Sequence, residues 1–367
     1  MKTPLKTISI KGYKSIRELD NFPLTSLNIL IGANGSGKTN FISAFKLINQ
    51  IVEENLQVFI SQQGGADNLL YFGRKTTESL QIDLEFGNNG YSCNLLSATG
   101  DTLIFESEGI SFHDKSRFPQ PYYEGLGGGH RETRLLEISR GIQHMTIADH
   151  VLHALQSWRV YHFHDTSAGA KVKQSGNLND NSVLRSDAAN LAAFLYLLRE
   201  TKEPFYRKII STIRLVAPFF DDFNLRPNPL NPETIQLEWR EIGSDAYFNA
   251  NVLSDGTLRF MCLATLLLQP ELPSTILIDE PELGLHPYAI TVLASLLRSA
   301  AKETQVIVST QSVPLVNQFS PEDIVVVDRL NQQSTFRRLN ENELEDWIED
   351  YGLGDLWEKN VIGGRPR

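Results

Sequence analysis

Cysteine is nearly absent from this chain: Cys93 and Cys262 are the two thiols in 367 residues. Two thiols can form neither a disulfide framework nor a four-thiolate metal site, and the reducing cytoplasm is the expected compartment. Long apolar runs are missing too. No stretch reaches the roughly eighteen apolar residues of a membrane span, so no contact with the membrane is expected. The N-terminus, MKTPLKTISIKGYKSI, lacks the apolar core of a secretory signal. Positive charge is in deficit, with 34 Lys and Arg against 44 Asp and Glu and a net charge of -10. That balance argues against a broad basic nucleic-acid face while leaving room for a local patch. There is no internal repeat and no sustained heptad run, which excludes a coiled-coil arm. What remains is a globular chain. Its 41% hydrophobic content can fill a sizeable core, and a prior of about 150 residues per domain suggests two or three units.

Against these absences one stretch stands out, SLNILIGANGSGKTNFISAF from Ser26 to Phe45. An apolar run of strand length (Leu27, Ile29, Leu30, Ile31) leads into Gly32-Ala33-Asn34-Gly35-Ser36-Gly37-Lys38-Thr39, a full match to G-x-x-x-x-G-K-[ST]. Phe41, Ile42, Phe45 and Ile48 then repeat at helical spacing. Strand, glycine loop and helix together make a phosphate cradle. The glycines let successive N–H groups turn inward, and the helix start adds the positive end of its dipole. Gly32, Asn34, Gly35, Ser36, Gly37, Lys38, Thr39 and Asn40 are the nucleotide contacts this loop offers. Lys38 is placed to reach the β and γ phosphates, and the Thr39 hydroxyl to ligate Mg²⁺.

A second acidic element lies far downstream. STILIDEPE (Ser274 to Glu282) is an apolar strand ending in two carboxylates. Asp279 is assigned to Mg²⁺, and Glu280 to orienting or deprotonating the attacking water. Upstream of it, Leu253-Ser254-Asp255-Gly256-Thr257 opens the helix TLRFMCLATLLLQ. Ser254 stands where an N-cap belongs, and Gly256 permits a close backbone approach. This makes a second anion site in the same chain. One nucleotide needs one phosphate loop, so the simplest use of the second site is the γ-phosphate held by another copy.

Between these motifs the chain reads as follows. Residues 6–30 are expected as two strands, and the helix after Thr39 is expected to run to about Phe59. SQQGGADNLLYFGRKTTES is loop-like. From Leu80 to Ser111 an antiparallel meander is expected, with Gly-Asn-Asn-Gly and Thr-Gly-Asp turns. Phe118 to Arg134 reads as a Pro/Gly-rich loop whose Arg131 and Arg134, with Arg140, fit a solvated face. Ile147 to Leu155 reads as helix. WRVYHF (158–163) reads as a buried strand ending in polar HDTSAG, where sheets of this class place ligands. His150, His153, His162 and His164 do not follow zinc spacing. Asp187 is expected to cap the helix DAANLAAFLYLLRE, helix continues to Val216, and TIQLEWREI and YFNANVL read as strands. The last residues hold a hairpin (DIVVVDRL, STFRRL), an acidic helix and a Gly-Gly-Arg-Pro-Arg tail.

The order of these motifs resembles that of ABC-type ATPase heads, more closely the RecF/SMC/OLD-related group of AAA_21-type ATPases. The motifs are Gly32–Thr39, Leu253–Thr257, Thr275–Pro281, Leu283–Pro287 and Val306–Gln311, with the tail WIEDYGLGDLWEKNVIGGRP. The fold implied is an α/β P-loop NTPase, an ABC-ATPase-like mixed sheet with an antiparallel β meander and a helical lobe. Its divisions are expected at 1–115 (phosphate loop and meander), 116–250 (helical lobe and connecting strands), 251–330 (signature helix, acidic strand and second half of the core) and 331–367 (hairpin strand, acidic helix and tail). The resemblance implies ATP and Mg²⁺ as cofactors and a homodimer closed by ATP, with Ser254, Asp255 and Gly256 at the partner's γ-phosphate. LSDGT departs from the commoner LSGGQ by Asp255. The histidine usual after the next strand is replaced by Gln311, which can donate to a γ-phosphate but carries no charge, so slow hydrolysis is expected. No glutamine follows WRVYHF, leaving Asp165 or His164 for the glutamine-loop position.

The relatives imply action in DNA repair, chromosome maintenance or phage defence. DNA is one partner to consider, with Lys171, Lys173, Arg185, Arg74 and Lys75 as the basic residues for it. A separate effector protein such as a nuclease is the other. In that reading ATP clamps a dimer that recruits the effector, with little intrinsic hydrolysis.

Overall fold

Leu27–Ile31 (β3), Gln305–Ser309 (β16) and Thr275–Asp279 (β15) are buried at every position. That is the mark of parallel strands covered on both faces. They form the middle of a six-stranded sheet in this computed structural model, which describes residues 3–139, 146–344, 347 and 350–365. The strand order is β18-β17-β3-β16-β15-β8, with β8 at Trp158–Tyr161, β17 at Ile324–Leu330 and β18 at Gln333–Arg338. All neighbours are parallel except the β17–β18 hairpin. The phosphate loop leaves β3 and the acidic pair ends β15. β16 lies between them, so its C-terminal end faces both.

A second sheet is wholly antiparallel, in the order β2-β1-β4-β5-β6-β7. Its strands are Leu5–Tyr13 (β1), Ile16–Pro23 (β2), Ser79–Phe86 (β4), Asn89–Ala98 (β5), Thr102–Phe112 (β6) and Tyr122–Gly127 (β7). Helix α1 (Lys38–Val52) lies between the two sheets, burying Phe41, Phe45 and Ile48. One core joins these side chains to Leu30, Leu277, Ile307 and Trp158 from the central sheet and to Ile82 and Leu84 from the meander. The opposite face of the central sheet, with Ile29, Ile276 and Val306, packs under α5 (Leu191–Thr201), α6 (Glu203–Val216), α7 (Asp255–Leu268) and α8 (Pro287–Ala300). The period-2 alternation of β-strands assigns neighbouring residues of β3 to different cores. The remaining helices are α2 (Leu56–Gln62), α3 (Leu135–Ser139), α4 (Ile147–Gln156), α9 (Val313–Val316) and α10 (Leu353–Glu358). Two small three-stranded sheets, β10-β13-β14 and β11-β12-β9, complete the helical lobe; they span Phe220–Phe223 (β10), Pro227–Asn228 (β11), Asn231–Ile235 (β12), Glu238–Glu241 (β13), Tyr247–Asn249 (β14) and Gly176–Asn177 (β9).

The fold is the expected α/β P-loop NTPase with meander and helical lobe, and several local readings need correction. Residues 6–30 hold three strands, not two. The first helix stops at Val52, because Glu54 takes a left-handed backbone (φ 55) before α2 restarts at Leu56. The Pro/Gly-rich stretch contains β7, which pairs with β6 as a sixth meander strand. Here backbone pairing overrides glycine content. Asp187 is not the cap of α5. It accepts from the Ala189 N–H two residues on, and Asn190 precedes the first helical residue. YFNANVL is strand only to Asn249, whose side chain caps a 3₁₀ turn over Ala250–Val252. The acidic stretch after β18 begins as a 3₁₀ turn, Glu341–Glu343. Residues 345, 346, 348, 349, 366 and 367, and Arg140, lie outside the described residues.

Candidate functional site

The phosphate loop is braced from the C-terminal hairpin. Ser334 on β18 donates its hydroxyl to the Ser36 carbonyl (2.5 Å) and bonds Ser15 Oγ (2.7 Å). Gly37 has φ 117, and a Cβ there would overlap Ser334 Oγ. Only glycine lets the loop pass this hairpin and still enter α1. Lys38 is buried. Its Nζ donates to the carbonyls of Gly32 (2.6 Å) and Ala33 (3.1 Å). Burial lowers its pKa, an effect opposed by the nearby Glu280, Asp279 and Glu282 carboxylates. Asn34, Gly35 and Thr39 are exposed along the loop, and Ser36 is buried with its hydroxyl unpartnered. Asn40 turns the other way and donates to Ser15 Oγ (2.7 Å), so its side chain belongs to the brace.

The end of β15 is where charge concentrates. Asp279 is 8% exposed and its Oδ1 has no hydrogen-bond partner. Glu280 has φ 43, a strained backbone for a non-glycine residue, held by its N–H donating to the Ser309 carbonyl (2.8 Å). The Gln311 side-chain amide donates to Glu280 Oε1. So Gln311, expected at a γ-phosphate, is directed at the carboxylate assigned as base. Glu282 is buried beneath them, where it accepts from Thr310 Oγ1 and from the Gln311 N–H (3.2 Å). Burial raises its pKa, while the Thr310 hydroxyl and the two N–H contacts pull the other way.

Hydrogen bonds through Phe163 and His164 connect this point to α7. The His164 Nε2–H donates to the Asp279 carbonyl (2.7 Å). Arg259 on α7 donates to the carbonyls of Phe163 (2.9 Å) and His164 (3.1 Å). Of the two residues expected at the glutamine-loop position, His164 thus touches the acidic strand. Asp165 is exposed and accepts from Ser167. At the start of α7, Ser254 caps the helix by accepting from the Thr257 N–H (3.2 Å). Ser254 and Asp255 are exposed. Gly256 is pressed against the loop after Glu280, since a Cβ there would overlap the Gly284 carbonyl oxygen. Among the described residues, no hydrogen bond joins this helix start to the phosphate loop of the same chain.

With this geometry in place, likeness to known proteins can be read. Residues 27–317 match the family described as "AAA domain, putative AbiEii toxin, Type IV TA system", AAA_21. The chain belongs to the AAA_21 family. This AAA_21 protein is an ATPase of the RecF/SMC/OLD-related group. A curated relative, the OLD nuclease of Thermus scotoductus (strain ATCC 700910 / SA-01), is 24% identical over 358 residues, covering 89% of this chain. The AAA_21 chain spans 62% of that relative's length. Two solved structures share the fold. An Smc head bound to the C-winged helix domain of ScpA gives a TM-score of 0.57 at 16% identity, covering 94% of this chain and 99% of that one. An Smc head with an extended coiled coil bound to the C-terminal domain of ScpA, from Pyrococcus furiosus, gives 0.55 at 15% identity, covering 95% and 99%.

The AAA_21 site suits the nucleotide and Mg²⁺ that its family implies. Four buried oxygens, on Asp279, Glu282, Ser36 and Ser309, lack partners around the ends of β3, β16 and β15. Hard oxygen donors are what Mg²⁺ takes. Sequence reasoning gave no role to Glu282, Arg259 or the Ser15–Ser334 brace. Glu282 was legible as a third acid within DEPE, whereas the other links join residues far apart in the chain and left no local signal. Of the basic residues expected to meet DNA, Arg74, Lys171 and Arg185 sit in exposed ion pairs, Lys75 is exposed and Lys173 is buried. Arg74 pairs with Asp67 (3.4 Å) and Asp101 (3.8 Å), Lys171 with Asp187 (3.3 Å) and Arg185 with Asp180 (2.5 Å). Lys173 is buried, donating to the Thr166 carbonyl (2.6 Å). No helix among the described residues is long and apolar enough to cross a membrane.

Proposed function

We propose that this chain is a Mg²⁺-dependent ATP-binding and ATP-hydrolysing switch that forms an ATP-sandwiched homodimer. The observation that carries the reading is that the capped start of α7 at Ser254 makes no hydrogen bond, among the described residues, to the phosphate loop of its own chain. A capped, exposed helix start is an anion site, and this reading gives it the γ-phosphate held by a second copy. Val252 (63% exposed), Leu283 (49%) and Tyr288 (52%) flank it, an apolar surface suited to cover by a second copy.

In this scheme Lys38 and the loop N–H groups hold the β and γ phosphates, and Glu280 orients and accepts a proton from the attacking water. Asp279 and the Thr39 hydroxyl would hold Mg²⁺, which when bound neutralises charge on the phosphates. Gln311 fixes the Glu280 carboxylate and brings no charge of its own, which supports slow turnover.

The test is sizing of Glu280→Gln with Mg-ATP. The expected result is a stable dimer with bound ATP, formed by a protein that no longer hydrolyses it. A variant that binds ATP and stays monomeric overturns the sandwich, and one that keeps full turnover overturns the assignment of the base.

The output is proposed to lie in DNA maintenance, repair or anti-phage defence in the cytoplasm; the name of one relative, a nuclease, is what supports a link to nucleic acid. DNA contact by Arg74, Lys171 or Arg185 would exchange an exposed ion pair for a phosphate. ATPase stimulation by double-stranded DNA at low salt tests it. The second reading, an ATP-gated module that recruits a nuclease-type partner with little hydrolysis, draws support from the Gln311–Glu280 contact. Partner capture by Glu280→Gln with ATP, without DNA stimulation of the wild type, favours it.

A further inference from the structure

The tail returns to the phosphate loop. After α10, three hydrogen bonds pin the chain. Arg337 donates to the Ile362 carbonyl (2.9 Å), the Gly364 N–H donates to Asp328 Oδ1 (2.9 Å), and the Trp357 indole N–H donates to the Gly364 carbonyl (3.2 Å). Ile362 and Trp357 are buried. Gly363 and Gly364 both take left-handed backbones, φ 84 and 81. A Cβ on Gly364 would lie 3.4 Å from Gly32 Cα. The tail therefore rests on the first glycine of the phosphate loop.

The next residue is Arg365. It is exposed and makes no hydrogen bond or ion pair among the described residues. Its Cα stands about 3.8 Å from that of Gly364. The end of the loop it stands over is identified by Lys38, whose Nζ lies on the Gly32 and Ala33 carbonyls. In such loops this lysine reads the β and γ phosphates. The buried tryptophan and isoleucine account for the docking of the tail. The left-handed glycine pair does something else, bringing the backbone against Gly32 and leaving Arg365 exposed next in the chain.

We propose that Arg365 is a nucleotide-binding residue of this chain's own site, contacting the terminal phosphate of a nucleoside triphosphate. A guanidinium offers a planar fork of donors that matches phosphate oxygens, and it stays charged at any working pH. The proposal rests on the ATP-site reading above and adds a discriminator between triphosphate and diphosphate.

The experiment measures equilibrium binding of Mg-ATP and Mg-ADP to the full chain, as wild type, Arg365→Ala, Arg365→Lys and Lys38→Ala. Hydrogen exchange over residues 357–365 is followed alongside. Arg365→Ala should bind ATP about tenfold more weakly and ADP less than about threefold more weakly. Arg365→Lys should fall between, and ATP should slow exchange in the wild-type tail. Unchanged ATP affinity in Arg365→Ala, or equal losses for ATP and ADP, overturns the proposal. If the wild type binds no ATP, the ATP-site reading itself fails. If Lys38→Ala loses ATP while Arg365→Ala does not, only the role of Arg365 falls.

Discussion

The side-chain amide of Gln311 donates to the carboxylate of Glu280. The two residues leave the ends of adjacent parallel strands, β16 and β15. Glu280 is held twice, by this amide and by its own N–H on the Ser309 carbonyl. Its left-handed backbone is maintained by those contacts.

Removing the amide should therefore impair chemistry more than binding. Gln311→Ala is expected to lower kcat about tenfold, the worth of one hydrogen bond to a charged group. Its KM for ATP should stay within about twofold. Steady-state phosphate release measures both, and an unchanged kcat would show that Glu280 needs no such support.

Gly256 packs against the Gly284 carbonyl, so bulk there should displace the start of α7 from the loop after Glu280. Gly256→Val is expected to weaken ATP-dependent dimerisation about tenfold or more, with ATP binding to the monomer retained. Analytical sizing at graded protein concentrations, beside nucleotide binding, reads the two effects separately.

His162 supplies a pH dependence. Burial, with Lys46 beside it, pushes its pKa down from 6.5 to about 4, and its Nε2 is buried without a partner. The unfolded chain then binds more protons between about pH 4 and 6.5, so stability rises with pH through that window and is lost as pH falls. The effect, reduced for partial exposure, is about 1–2 kcal/mol. Tm measured from pH 4 to 7 should slope less in His162→Gln than in the wild type. Equal slopes would assign the dependence to other groups.

Asp279 should couple metal to stability. Mg-ATP is expected to raise the wild-type Tm by several degrees over ATP with a chelator, through mass action on the folded state. Asp279→Asn should lose most of that increment while still responding to ATP alone. An undiminished Mg²⁺ increment in the variant would move the metal to other ligands.

Much of the nucleotide site was legible because it is local. The phosphate loop is one run of eight residues, and the acidic strand is another. Glycine placement and a buried apolar strand specify each without reference to the rest of the chain. The start of α7 was legible for the same reason, since a helix cap lies within one turn. Contacts between distant segments were not. Three of the basic residues that looked available for DNA, Arg74, Lys171 and Arg185, are paired with acids five to twenty-seven positions away. Gln311 bears on Glu280, and the Gly363–Gly364 pair crosses Gly32 from the far end of the chain.

The sequence by itself determined the chemistry on offer: a phosphate cradle with its lysine, two carboxylates at a strand end, and a capped helix with a glycine in its first turn. Backbone dihedral preferences and hydrophobic periodicity act over a few residues, and they sufficed for that. Only the tertiary structure decided which charges are paired, which carboxylate Gln311 holds, and that the tail rests on the first glycine of the loop. Those outcomes depend on which strands become neighbours, and strand order is set by packing across the whole chain.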